Sequence, residues 1–310
     1  MEHQKTNKFI KFLFPFWPVK IFKSITGICV LAALLGLSIL LNLFKINITA
    51  GITISFAWLP GIIIGWYFGP IVGLLMGALI DTINWLIYGG VWFWMYALQE
   101  PILGLIVGII SSLFNIIRNT KQHFSICLII NQIMLIGFII SSIFIVFYYT
   151  NPNNPFFQSI SNAENSTSNM IKTTQLYLRW IILGILLGLF VIVEVIVGYR
   201  YYQFKKDRNS NFVRFEVFLF ITIVALTSTV IFSFLLGPIS AIEYYKFLNN
   251  TSYVPNLVNY GVMYYLLPRV IKECFKTPIY IIILTTLVCA LNPAIVSFKN
   301  RIINSYHSEK

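Results

Sequence analysis

The stretch Gly61-Ile62-Ile63-Ile64-Gly65-Trp66-Tyr67-Phe68-Gly69-Pro70-Ile71-Val72-Gly73-Leu74-Leu75-Met76-Gly77-Ala78-Leu79-Ile80-Asp81 carries glycine at every fourth position, a proline in its middle and an acid at its end. Residues four apart share one helical stripe. In lipid, burial of apolar surface gives no drive between helices, and small residues one turn apart let backbones approach closely enough to gain van der Waals contact. The ladder therefore predicts two membrane helices packed backbone to backbone, with Pro70 fixing the break between them. Asp81 adds a second signal. A carboxylate within an apolar helix is expensive and normally points at a partner, a cavity or a ligand. Pairing with a donor on a neighbouring helix stays open beside the ligand reading.

With 58% hydrophobic residues, 10% charged residues and a mean hydropathy of +0.80, the 310-residue chain has too little polar surface for a water-soluble globule. The expected class is an all-α polytopic membrane protein. The net charge of +12 sits on no soluble domain, so it reads as Lys and Arg anchoring against acidic lipid rather than as a nucleic-acid surface. Cys29, Cys127, Cys274 and Cys289 have no paired spacing and read as small apolar residues. His3, His123 and His307 fall outside the apolar runs or at their ends, and no Gly-x-x-x-x-Gly-Lys-Ser/Thr loop occurs. These patterns count against metal-dependent or Ser-His hydrolysis in the membrane and against a nucleotide site of that class. The chain is read as a non-enzyme without metal or cofactor.

Apolar runs predict spans near 25–44, 52–67, 70–88, 97–117, 124–149, 177–199, 214–237 and 270–297, about eight helices. Residues 1–24 mix lysines with aromatics and suit a cytoplasmic segment lying in the headgroup layer. The run after them has spanning length without a small-residue cleavage site, so it is expected to be retained. The stretch from Thr150 to Gln175 reads as one long loop. An inside N-terminus puts fifteen of the 22 Lys and Arg on the inner side, with both termini cytoplasmic in the cell membrane. Arg269, Lys272 and Lys276 break this bias at the outer start of the last helix. Spaced three and four apart, they share a face; snorkelling to outer phosphates and capture of an anionic solute are both open.

Asp81, Asn84, Trp85 and Tyr88 stand at i, i+3, i+4 and i+7 and form one polar, aromatic helical face. Asp81 lies about 10 Å below the outer surface at the helical rise per residue. Gln99 and Glu100 open the next helix at a similar depth, and Arg269 starts the last helix on that side. An outward-open pocket is expected from these groups, with Trp92, Phe93 and Trp94 as its cover or as an interfacial aromatic belt. Glu194, near the inner end of its helix, reads as structural.

Ser55-Phe56-Ala57-Trp58-Leu59-Pro60-Gly61, then Phe68-Gly69-Pro70-Ile71-Val72-Gly73 and Gly77-Ala78-Leu79-Ile80-Asp81, resemble the substrate-binding S components of energy-coupling factor (ECF) vitamin transporters, the folate family in particular. Leu236-Gly237-Pro238 and Leu266-Leu267-Pro268-Arg269-Val270-Ile271-Lys272 look like that family's last loop and last helix. The resemblance covers about 25–118 and 214–297. It implies a six-helix core, 25–123 and 201–310, with 124–200 as an inserted transmembrane hairpin whose Gly184 and Gly188 suggest packing against protein. It further implies a subunit that takes folate or a related heterocycle from outside and works with a transmembrane coupling subunit and two cytoplasmic ATPases. Ala32 and Gly36 occupy the position where the family contacts its coupling subunit. The chain departs from the folate pattern where Ala97-Leu98-Gln99-Glu100-Pro101 replaces a cation by Gln99 and adds an acid, which shifts selectivity away from a folate dianion. Arg269 and Lys272 remain as anion partners. An unpartnered secondary transporter and a structural or assembly protein are the competing classes.

Overall fold

The structure, a computed structural model, describes residues 8–15, 22, 24–44, 46–49, 52–117, 123–151, 153, 168–206, 213–248 and 262–308. Most of the expected loop 150–175 and of the N-terminal segment lies outside them. In chain order the elements are α1 (Lys8–Leu13), α2 (Ile25–Leu43), β1 (Ile46–Thr49), β2 (Ile52–Ile54), α3 (Leu59–Phe68), α4 (Pro70–Tyr88), α5 (Trp94–Ala97) and α6 (Gln99–Ile117). Then follow α7 (His123–Tyr149), α8 (Ser168–Lys206), α9 (Val213–Ser228), a π-helical segment (Thr229–Leu236), α10 (Gly237–Phe247) and α11 (Val262–Ser308). Among the described residues the regular structure is helical apart from the short antiparallel β1–β2 hairpin, in which Ile46 pairs with Ile54.

Among the described residues, seven helices are long and apolar enough to cross a membrane. A helix suits this solvent because it satisfies its backbone polar groups internally. The expected span 52–67 is the exception. Its helix is only Leu59–Phe68, which rises about 15 Å, half of a hydrocarbon core of about 30 Å. The β-branched run Ile52-Thr53-Ile54 pairs as β2, and Pro60 confines the helix start because proline is tolerated only in a first turn. Ser55 organises the entry: its Oγ accepts from the Ala57 amide at 3.2 Å and its carbonyl from Trp58 Nε1 at 2.7 Å.

The chain forms two compact units, Met1–Leu128 with Phe220–Val224 and Ile281–Lys310, and Ile129–Leu219 with Ala225–Tyr280. Each is described by itself. In the first, α3 bridges opposite ends. At one end Ser38 Oγ donates to the Ala57 carbonyl (2.8 Å) and Tyr88 Oη to the Ile39 carbonyl (2.8 Å), gathering α2, the start of α3 and the end of α4. At the other, Ser112 Oγ donates to the Phe12 carbonyl (2.7 Å) and Lys299 Nζ to the Pro15 carbonyl (2.8 Å), tying α6 and α11 to the N-terminal segment. Gly69 turns the chain there at φ 91°, a left-handed conformation open to glycine, and its missing side chain leaves room for Pro15 and Leu13.

The glycine ladder is divided by that turn, with Gly61 and Gly65 on α3 and Gly73 and Gly77 on α4. Both halves pack against a third helix. A Cβ on Gly65 would meet the Gly104 carbonyl oxygen at 2.6 Å, and one on Gly77 the Glu100 carbonyl oxygen at 2.5 Å. Gly73 and Gly104 face each other backbone to backbone, as do Gly108 and Pro70. The two halves also meet each other backbone to backbone, since a Cβ on Gly73 would lie 3.0 Å from Gly65 Cα, and α6 joins them as a third helix whose Gly104-x-x-x-Gly108 supplies the answering stripe. Ile62, Ile64, Phe68, Val72, Ile80 and Val107 fill the core beside it, and Ser111 Oγ bonds the Trp66 carbonyl.

In the second unit, Leu135, Phe138 and Val146 of α7 pack with Ile182 and Leu186 of α8, Leu226 and Phe234, and Val270 and Cys274 of α11. Phe138 and Phe234 stack at 5.8 Å. Gln132 Nε2 donates to Glu194 Oε2 at 3.1 Å, so the acid of α8 pairs with the neighbouring helix α7. A Cβ on Gly184 or Gly188 meets nothing within 4 Å, and both glycines are exposed on this chain, so no part of this chain packs against them. The π-helical segment leads into Gly237-Pro238. Pro238 has no amide hydrogen and its ring crowds the carbonyl four residues back, a conflict that the wider π turn relieves.

Candidate functional site

The polar face expected on α4 exists, and the glycine ladder brings α6 against it. Glu100 stands in the first turn of α6, where the helix dipole favours an acid. Its Oε2 sits 3.4 Å from where a Cβ of Gly61 would be, and its carbonyl oxygen presses on Gly77, so the acid is wedged between the two halves of the ladder. Asp81 is half-buried and is an electrostatic neighbour of Glu100. Glu100 Oε2 and Asn84 Oδ1 are both buried without a hydrogen-bond partner. A buried acceptor left unpaired is costly. Two of them beside a second carboxylate make a wall suited to N–H or O–H donors of a ligand.

Aromatic groups continue this wall toward the end at which α2 and α4 meet. Trp85 Nε1 donates to the Gly90 carbonyl at 3.1 Å, closing the turn after α4, and Tyr88 holds the Ile39 carbonyl. Of the expected cover, Trp92 and Trp94 are exposed, whereas Phe93 is buried and packs edge-on to Tyr96 at 5.6 Å. Gln99 is half-buried and engaged within the chain.

Arg269 and Lys272 belong to the second unit, and a residue that the sequence reasoning passed over dominates their surroundings. Glu273 is fully buried. Its Oε1 accepts from Ser233 Oγ at 2.7 Å and Lys276 Nζ at 2.5 Å, with Lys272 Nζ at 3.8 Å. Its Oε2 has no partner. The Arg269 guanidinium fills the place a Cβ of Gly237 would take, and Lys276 Nζ lies 4.8 Å from the centre of the Tyr280 ring. Glu273 was legible as an acid bracketed by Lys272 and Lys276, but Ser233 was not. Ser233 reaches it from the π-helical segment, whose register no helical periodicity foretells. On α2, Ala32 is exposed and Gly36 has open space where a Cβ would be, so this chain leaves that small-residue stripe uncovered.

A family profile described as "ECF transporter, substrate-specific component" matches residues 23–187. Among curated proteins, the "Uncharacterized protein MG313 homolog" of Mycoplasma pneumoniae is 30% identical over 276 residues, 89% of this chain and 93% of that one. "Uncharacterized protein MG313" of Mycoplasma genitalium is 32% identical over 269 residues, 87% of this chain and 91% of its own length. No solved structure matches significantly.

Proposed function

Because the chain belongs to the family of ECF transporter substrate-specific components, we propose that it is the membrane subunit that captures a vitamin, folate or a related heterocycle, from outside the cell. The carrying observation is the wall of Asp81, Asn84 and Glu100, inside the family-matched segment, with two buried acceptors lacking donors. In the first unit Trp85, Tyr88 and Trp92 supply ring surface for a flat heterocycle and Gln99 adds an amide; in the second, taken by itself, Arg269 and Lys272 are the candidates to take an anionic group. Asp81 and Glu100 favour a donor-rich ring, in keeping with the replacement of the folate-pattern cation by Gln99. A transmembrane coupling subunit and two cytoplasmic ATPases are the partners in this reading. The uncovered stripe at Ala32 and Gly36 is the coupling contact, the termini face the cytoplasm, and ATP is hydrolysed by the partners. The 124–200 hairpin is an insertion into a six-helix core, 25–123 and 201–310.

Titrating the detergent-purified chain with a panel of water-soluble vitamins, read by calorimetry, is expected to give one ligand binding tighter than about 10 μM, roughly 7 kcal/mol. A panel with no such ligand defeats the proposal. Arg269→Ala is expected to weaken an anionic ligand at least tenfold, about 1.4 kcal/mol. Unchanged affinity would assign Arg269 to headgroup snorkelling or to contacts within the chain rather than to the ligand.

A further inference from the structure

Asp81, Asn84 and Glu100 lie together in the first unit and offer acceptors without an answering cation. Gly77 of α4 lies against the Glu100 backbone, Asp81 stands one turn farther along the same stripe, and Asn84 follows one turn beyond. Glu100 Oε2 comes within 3.4 Å of the place a Cβ of Gly61 would take on α3. Among the described residues no cation pairs with either acid, and the charge that Glu100 meets is that of Asp81. The start of α6 offsets part of one negative charge; the second has no counterpart, although acids at membrane depth are ordinarily paired. Glu100 Oε2 and Asn84 Oδ1 are in addition buried without a donor. This face opens in one direction. Asp81 is half-buried, whereas Trp85 and Tyr88, one and two turns beyond it, are 39% and 41% exposed. A ligand therefore reaches the acids along the aromatic side of α4, with the buried acceptors at its inner end.

The missing component is a positive charge that also carries several hydrogen-bond donors. An anion would add a third like charge. A neutral donor would satisfy the acceptors and leave the two charges standing. A bare divalent ion calls for six or more oxygens, and among the described residues no group of three metal-ligating acid, His or Cys side chains gathers. A compact ammonium projects its three donors from one nitrogen, whereas the acceptors here come from two helices. A planar N–C–N cation spreads its N–H groups in a fork, matches a carboxylate edge-on and leaves its faces free for aromatic rings. Trp85, held by its bond to the Gly90 carbonyl, and Tyr88 stand on that open side, where a cation gains from a ring face. We propose that Asp81, Glu100 and Asn84 bind the amidinium-type, positively charged end of the ligand, so that the solute captured at this site is a protonated amino-heterocycle rather than a neutral or anionic ring. This rests on the reading of the chain as a substrate-binding subunit and narrows its ligand by charge.

The test uses the full chain in detergent and three probes of similar size: benzamidine, a planar amidinium; benzamide, its neutral counterpart; and benzylamine, a compact ammonium. Binding is followed by ligand-observed NMR titration at neutral pH. Benzamidine is expected to bind at least tenfold tighter than either other probe, and Asp81→Asn to weaken benzamidine at least tenfold while changing benzamide less than threefold. Equal binding of benzamide, equal binding of benzylamine, no binding of benzamidine up to about 10 mM, or an Asp81→Asn chain that binds benzamidine unchanged each overturns the assignment. Where Asp81→Asn does not fold, photolabelling of the unaltered chain with an azidobenzamidine locates the site: label is expected within residues 81–100, and label confined to other segments overturns it. The vitamin panel separates the two levels. A vitamin that binds while benzamidine and benzamide stay equal removes the charge assignment alone, whereas a silent panel removes the transport reading itself.

Discussion

Gly104→Leu is expected to lower the melting temperature of the detergent-purified chain sharply, the largest single-residue effect in the first unit. The missing Cβ of Gly104 faces the backbone of Gly73, and a Cβ on Gly73 would in turn meet the backbone of Gly104. Neither neighbour is a flexible side chain that can swing away. The substitution must therefore drive α6 off α4, and with it α3, since Gly65 uses the same Gly104 carbonyl. Overpacking a well-filled core costs about 1–3 kcal/mol where side chains can adjust. Here helix backbones must part, and the loss is expected to exceed roughly 3 kcal/mol, at the large end of single substitutions. Gly184→Leu is the matched control, because a Cβ there meets nothing within 4 Å. Thermal melts of both variants in one detergent decide the matter. Similar melting temperatures for Gly104→Leu and Gly184→Leu would mean that the glycine contact carries little of the fold.

The contrast between these two glycines marks what the sequence conveyed. Spacing alone identified the ladder at Gly61 to Gly77, the break at Pro70 and the acid beyond it. It gave the contact of the two ladder helices, Gly65 against Gly73, but not the third helix, because small-x-x-x-small is a property of one helix while packing is a property of two. Gly104-x-x-x-Gly108 carries the same spacing, but nothing local to α6 says which helix answers it. Gly184 and Gly188 show the reverse, a four-residue spacing with no neighbour from this chain. Hydropathy likewise located Leu59–Phe68 but overran its start, since Ile52-Thr53-Ile54 is as apolar as a span and is used as a strand. The α4 face at Asp81, Asn84, Trp85 and Tyr88 was legible because it is local. Glu273's link to Ser233 joins residues 40 positions apart through a π-helical register, and neither periodicity nor composition encodes that.

The second large effect follows from the same cluster, and its sign depends on which partner is removed. Glu273 is completely buried and is bonded to Lys276, itself only 16% exposed in its side chain. Removing one member of a buried ion pair leaves the other charge uncompensated, at about 3–5 kcal/mol, whereas replacing both by apolar groups of similar volume is often neutral or stabilising. Glu273→Leu is therefore expected to destabilise by about that amount, because Lys272 and Lys276 lose the carboxylate and Ser233 loses its acceptor. Lys276→Met is expected to cost less, since Ser233 and Lys272 still attend Oε1. The Glu273→Leu, Lys276→Met double variant is expected to be more stable than the sum of its singles by at least about 2 kcal/mol, within the range of coupling between contacting residues. Reversible denaturation of the wild type, both singles and the double in the same detergent gives this coupling directly. Additivity within about 0.5 kcal/mol would show that Glu273 and Lys276 act independently and that burial of the acid rests on other contacts. Strong coupling would make the cluster one electrostatic unit.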